Sequence, residues 1–297
     1  MKQTARVGFA AVCFILGFSL TGLAAEYGDY EMTSSGSETG AATYLTSKTV
    51  NIFGLSGLIR TNSATVMKPG KFVVGASGEF ENSDTPNFRR YTIRGNLTVG
   101  VAQRLELGIV YPFERLYGVN QARDLEASVK WNFLEQMGAS FPALAVVGTF
   151  IAPTGKNIDS SGSSPTGNEI STVDHYGFKF LGVASADVDM GPQDDYIFGL
   201  FAEMGIFFRD LGESQEEKHG LWGLGGVFPV GPVELILEGN GTIDNGGNGN
   251  ENVARFTPAV RWVISNLAMT IGYERTMKGK TGFSDSDGAI AAVNLMF

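Results

Sequence analysis

Cysteine is almost missing from this chain: Cys13 is the only one in 297 residues. It lies in an N-terminal apolar run, so disulfides, cysteine metal sites and cysteine nucleophiles are excluded from everything that follows. Histidine is nearly as scarce, with only His175 and His219. Basic residues are outnumbered, 22 Lys and Arg against 31 Asp and Glu, for a formal net charge of −9. Nucleic acid is therefore not expected as a partner, because it calls for a basic face. Beyond residue 25 no stretch approaches the roughly 20 consecutive apolar residues of a membrane-spanning helix. Yet 43% of the residues are hydrophobic and 40 are glycine. Such a chain is either a soluble β-protein or one whose membrane surface is spread over alternating positions.

The first residues carry Lys2 and Arg6, then the apolar run Gly8–Phe18, then small residues ending at Ala24 and Ala25. This order predicts a secretory signal peptide over residues 1–25, cleaved near Ala25. Cys13 sits inside the apolar run and far from that point, so a lipoprotein is not expected. Residues 26 to about 50 are small and polar with few apolar anchors. They predict a flexible periplasmic lead-in; Phe53–Arg60 and Met67-Lys68-Pro69-Gly70 then form an entry segment to residue 70, with Pro-Gly marking the turn into regular structure.

From Lys71 the hydrophobic period is two. Leu125, Ala127, Val129, Trp131 and Phe133 fall on one face, and Asp124, Glu126, Ser128, Lys130 and Asn132 on the other. Successive side chains of a strand point to opposite sides, so one face suits lipid and the other a polar interior, whereas a helix would mix the two sets. The pattern recurs in Tyr91, Ile93, Leu97 and Val99 against Thr92, Arg94, Asn96 and Thr98, and in Leu267, Met269, Ile271 and Tyr273 against Thr270 and Glu274. Strands are predicted at 71–82, 90–101, 104–116, 121–133, 143–154, 174–189, 195–209, 219–229, 232–243, 253–264, 267–277 and 286–297. About eleven residues at roughly 3.3 Å, tilted near 40°, rise about 28 Å, the height of an apolar membrane band.

Long and short connections alternate along the chain. The long ones include 155–173, 210–219, 244–252 and 278–286; the tight ones include Gln103-Arg104, Gly191-Pro192-Gln193, Gly231-Pro232 and Ser265-Asn266. The expected fold is an all-β, closed antiparallel transmembrane barrel of about twelve strands over residues 71–297, because only closure satisfies every backbone group in lipid. Aromatic residues then form two girdles at the strand ends. Phe72, Trp131, Phe133, Tyr196, Phe228, Trp262 and Phe297 lie at the short-turn end. Phe80, Tyr91, Tyr111, Phe113, Tyr176, Phe178, Phe208, Phe256 and Tyr273 lie at the other.

The last strand places Ala291, Val293, Leu295 and Phe297 on one face. Here the chain resembles Gram-negative outer-membrane β-barrel proteins, porin-like or uncharacterised transporter barrels with a C-terminal aromatic signal. Gly57-Leu58-Ile59-Arg60 and Phe150-Ile151-Ala152-Pro153-Thr154-Gly155 look like segments of barrels grouped with aromatic-hydrocarbon transporters. The resemblance implies residence in the cell outer membrane, contact with its lipid, and an insertion signal at Val293, Leu295 and Phe297 read by the barrel-assembly machinery. The resemblance is architectural and names no single function; the leading expectation is a non-enzymatic protein without cofactor that passes small, including apolar, solutes. A structural or adhesive barrel with a plugged lumen is the alternative, and an outer-membrane hydrolase a weaker one.

Site motifs are few. His175 lies near Ser171 and Asp174, but the close His-x-Ser spacing of outer-membrane phospholipases is absent, so both histidines are expected as rim residues. Gly246-Gly247-Asn248-Gly249-Asn250-Glu251 is a single unit of a calcium repeat that binds only when stacked. Asp285-Ser286-Asp287-Gly288 lacks the remaining ligands of a calcium loop. Gly279-Lys280-Thr281 lacks the first glycine of a phosphate loop, since Glu274 stands there. No metal or catalytic site is expected. The informative set is the inward one: Glu79, Arg94, Glu106, Glu114, Glu126, Lys130, Lys179, Glu203, Glu234, Glu238, Arg255, Arg261 and Glu274. These charges either pair across strands as a polar core or line a narrow pore, with Arg255 and Arg261 expected to face Glu234, Glu238 and Glu274.

Overall fold

The computed structural model describes residues 50–83, 89–116, 119–137, 141–155, 176–189, 197–212, 215–244, 252–278 and 285–297. The expected signal peptide, the lead-in up to residue 49, Tyr196, His175 with its neighbours, and the glycine-rich motifs at 246–251 and 279–281 lie outside them.

The alternating segments form strands β1 (Phe72–Ser83), β2 (Arg89–Ala102), β3 (Leu105–Leu116), β4 (Val119–Ala122), β5 (Leu125–Leu134), β6 (Ala143–Ala152) and β7 (Gly177–Asp189). They continue as β8 (Ile197–Gly212), β9 (Gln215–Val230), β10 (Val233–Asp244), β11 (Val253–Ile264), β12 (Leu267–Lys278) and β13 (Ser286–Met296). Every neighbour is antiparallel, and β1 pairs with both β2 and β13, so the sheet closes without an edge. Phe72 and Phe297 exchange backbone hydrogen bonds of 3.2 and 2.9 Å at the seam.

β4 and β5 both pair with β3 and are two parts of one barrel strand, so the barrel is twelve-stranded. The break has a chemical cause. Pro112 on β3 has no N–H to give the ladder, its carbonyl accepts from Arg123 at 2.9 Å, and the pairing slips by one residue there. β9 begins at Gln215, earlier than the expected residue 219, since the polar residues 215–218 pair with the end of β8.

Outward positions carry the apolar side chains that alternation demanded: Ile93, Leu97, Phe113, Val129, Trp131, Leu237, Phe256 and Ile271 are all exposed. A belt of this kind suits a lipid surround, where a closed barrel leaves no backbone group unpaired. Aromatic rings are exposed at both ends of the strands; Phe150 joins the loop-end set, stacked on Tyr176 and in register with Phe178, and exposed Phe180 lies two residues further in. Gln103-Arg104, Gly231-Pro232 and Ser265-Asn266 form tight turns at the end where Phe72 and Phe297 meet, hereafter the turn end.

The interior is only half polar. Inward positions of β6 to β10 include Ala143, Ala145, Val147, Leu181, Val183, Phe201, Val227 and Ile236, all buried. They are covered by residues 50–67, which enter the barrel and fill its lumen. Ile52, Leu58 and Ile59 pack against Phe201, Val227, Ile236, Ala259 and Ile290. Leu55 and Ala64 pack against Ala143, Ala145, Val147, Leu181 and Val183. Val50 and Met67 both sit against Val73, so this plug enters and leaves at the turn end. The expected entry segment before the first strand is a packed one, because the wall offers these residues apolar partners and hydrogen bonds.

Candidate functional site

The plug is held by inward carboxylates and cations that bind its backbone. It folds as a compact pair of turns, with bridges Val50–Ser56 and Gly57–Asn62, and Gly54 takes a left-handed φ of 76°. That turn presses on β3, where Gly108 leaves room for the Gly54 carbonyl, which accepts from Thr98 Oγ1 at 2.8 Å.

Three carboxylates receive backbone N–H groups of the plug. Glu238 accepts the N–H groups of Ile59, Arg60 and Thr61 at 3.0, 3.0 and 2.9 Å, and the Thr61 hydroxyl at 3.0 Å. Glu106 accepts the N–H of Ser56 at 2.8 Å, the Ser56 hydroxyl at 2.9 Å and the N–H of Met67 at 2.7 Å, while pairing with Lys130 at 3.0 Å. Glu203 accepts from the Asn62 N–H at 2.9 Å and its side-chain amide at 2.8 Å. Hydrogen bonds to a carboxylate are among the stronger ones, and here they satisfy backbone groups that water cannot reach.

Cations on the wall complete the cradle. Arg261 pairs with Glu234 at 3.1 Å, its expected cross-strand partner, and donates to the Leu58 carbonyl at 2.8 Å. Lys130 donates to the Ser56 hydroxyl and carbonyl. From the plug, Arg60 reaches Glu79 and pairs with Glu274 at 2.8 Å. Burial works to lower the Arg60 pKa, but the carboxylates of Glu79, Glu274 and Glu238 raise it above the ordinary value, so its charge is secure.

The thirteen inward residues named from the sequence fall into four groups. Glu79, Glu106, Lys130, Glu203, Glu238, Arg261 and Glu274 bind plug atoms directly. Arg94 pairs with Glu79 at 2.7 Å, and Glu234 serves Arg261. Glu114 binds Arg90 and Arg123 beyond the plug, on the side away from the turn end. Lys179 pairs with Glu126 at 2.8 Å and stands 5.0 Å above the Phe53 ring, while Arg255 lies a longer 3.7 Å from Glu274. Arg255 does not face Glu234 or Glu238: its strand partners are Asn240 and Thr276.

The last group borders a cavity of about 140 Å³ on the loop side of the plug, lined by Phe53, Arg60, Asn62, Lys179, Glu203 and Arg255 among others. One side of it is apolar, with Leu55, Val147, Leu181 and Leu221, and the other is charged. Among the described residues no cluster of His, Asp or Glu is placed to hold a metal. His219 stacks on Phe207 with ring centroids 6.0 Å apart. Val293, Leu295 and Phe297 are exposed on the outward face.

No protein-family model matches the sequence, and no curated protein matches it. Solved structures do match by shape. An outer-membrane channel from Pseudomonas putida F1 aligns over 81% of this chain and 100% of its own, with TM-score 0.59 and 12% identity. LpxR from Salmonella typhimurium covers 77% of this chain and 100% of its own, with TM-score 0.47 and 8% identity. The translocator domain of the autotransporter NalP from Neisseria meningitidis covers 76% and 88%, with TM-score 0.46 and 10% identity. At these identities the likeness is one of fold, and the fold is that of the outer-membrane β-barrels.

Proposed function

We propose that the chain is an outer-membrane channel for small solutes, closed by its own residues 50–67. The observation that carries this reading is topological. The plug enters and leaves the lumen by the same mouth, with Val50 and Met67 both against Val73, so it can withdraw without unthreading the barrel. Its anchors are hydrogen bonds and ion pairs to the wall, and beyond it lies a cavity of mixed charge. Withdrawal would join that cavity to the turn end. The reading assigns no catalytic residue and no cofactor, places residues 1–25 in a cleaved signal, and gives Val293, Leu295 and Phe297 to the insertion signal.

A permanently filled structural barrel is the second reading, favoured by the apolar clusters between plug and wall. A reversible lock separates the two. Ala64 N lies 3.2 Å from Ser185 Oγ, and cysteines at both positions would tie plug to wall in a chain whose only native cysteine is Cys13. In planar bilayers, A64C/S185C should be silent when oxidised and conduct intermittently after reduction. Equal silence of the reduced double variant and of wild type would favour the structural barrel.

A further inference from the structure

The outward face at the loop end of β2 and β3 carries two exposed arginines, Arg89 and Arg115. Tyr91 is the register partner of Arg115, which puts Arg89 diagonal to it on the same face, about 7 to 8 Å away between backbones. Among the described residues neither arginine has a carboxylate partner. That sets them apart in a chain of net charge −9. Arg90, pointing the other way, is bound to Glu114 and lies 3.7 Å from Glu81. Arg275, an outward arginine near the loop end of β12, is neutralised by Asp285 at 3.2 Å and Asp287 at 2.7 Å.

Just below the two guanidinium groups lie ring pairs, Phe80 with Tyr91 at 4.9 Å and Tyr111 with Phe113 at 4.8 Å. Exposed Ile93 and Leu97 continue the face toward mid-barrel. Aromatic rings sit at the level where acyl chains give way to headgroups, so Arg89 and Arg115 stand at headgroup height. A guanidinium grips phosphate through two parallel N–H donors. Two of them over an apolar stripe match a molecule that carries phosphate at one end and acyl chains at the other.

We propose that Arg89 and Arg115 form a binding site for the phosphorylated headgroup of an outer-leaflet lipid, with Tyr91, Ile93 and Phe113 receiving its chains. The proposal rests on the outer-membrane placement and not on the gate. Detergent-solubilised protein is titrated with diphosphoryl lipid A, with its dephosphorylated counterpart and with inorganic phosphate, and bound adducts are read by native mass spectrometry. Wild type should prefer the phosphorylated lipid. R89A/R115A should lose on the order of tenfold or more in affinity, R89K/R115K should recover part of it, and R275A should bind as wild type does. Unchanged heat-modifiable gel mobility certifies that each variant is folded. Binding by R89A/R115A at wild-type strength, equal binding of the dephosphorylated lipid, or inorganic phosphate binding as tightly as the lipid would each overturn the site.

Discussion

Glu238 on β10 takes both the backbone N–H and the hydroxyl of Thr61, at 2.9 and 3.0 Å, and so fixes the middle of the plug to the wall. With two further plug N–H groups on the same carboxylate, charge is what makes the anchor strong. Glu238→Gln keeps the shape but turns an amide NH2 toward donors. It should cost about 1–3 kcal/mol of plug binding and raise the frequency of conducting events in a planar bilayer. A wild-type conductance record from E238Q would show that this anchor does not hold the gate.

Arg60 is the plug's one long charged side chain in the lumen, and it answers Glu79 and Glu274 together. Its removal leaves Glu274 with Arg255 at 3.7 Å and Glu79 with Arg94 at 2.7 Å. Truncating one member of a buried ionic cluster typically costs about 3–5 kcal/mol. Arg60→Ala should therefore lower the thermal midpoint in detergent and, where the channel opens, favour cations, because the freed carboxylates lower the potential along the path. Reversal potentials in a salt gradient check the second half, and a shift toward anions would contradict it.

The wall of the barrel was legible in the sequence because its physics is local. Alternation at residues 125–133, closure at Phe297 and tight turns such as Ser265-Asn266 each follow from a few neighbouring residues. The plug was not legible, because Ile52, Leu55, Leu58 and Ile59 sit among small polar residues without a period, and their partners on the wall are distant in the chain, from Ala143 onward. One signal did exist. β6 reads Ala-Leu-Ala-Val-Val-Gly-Thr-Phe-Ile-Ala, apolar on both faces, and a strand in a polar, water-filled lumen would not be. Apolar inner positions such as Val147 and Leu181 required something to cover them. The charge pairs divide in the same way. Arg261 with Glu234 follows from register alone, whereas the role of Glu106 and Glu238 as acceptors for plug N–H groups needed the plug.

The two inward arginines of β11 should behave differently on substitution. Arg261 is buried, paired with Glu234 and bonded to Leu58, so Arg261→Ala strands a carboxylate and a carbonyl in a dry interior. About 3–5 kcal/mol of destabilisation is expected. Arg255 borders the cavity at a looser 3.7 Å from its carboxylate. Arg255→Ala should leave the melting profile nearly unchanged and move the reversal potential toward cations. Equal thermal losses from the two variants would show that burial does not separate their roles.

Gly108 tests whether the plug can be kept out without touching its chemistry. A Cβ at this position of β3 would collide with the Gly54 carbonyl, which is backbone and cannot swing aside. Gly108→Val keeps a strand-compatible wall, since β-branched residues suit a sheet, but it denies the plug its seat. In folded wild-type barrel, trypsin should spare the bond after Arg60, a residue buried in the lumen. In G108V the displaced plug should be cut there, and the barrel should keep its heat-modifiable mobility because the hydrogen bonds of β1 with β13 do not involve the plug. Continued protection of Arg60 in G108V would mean that the wall yields around the valine, and that seating at Gly54 does not decide whether the lumen is closed.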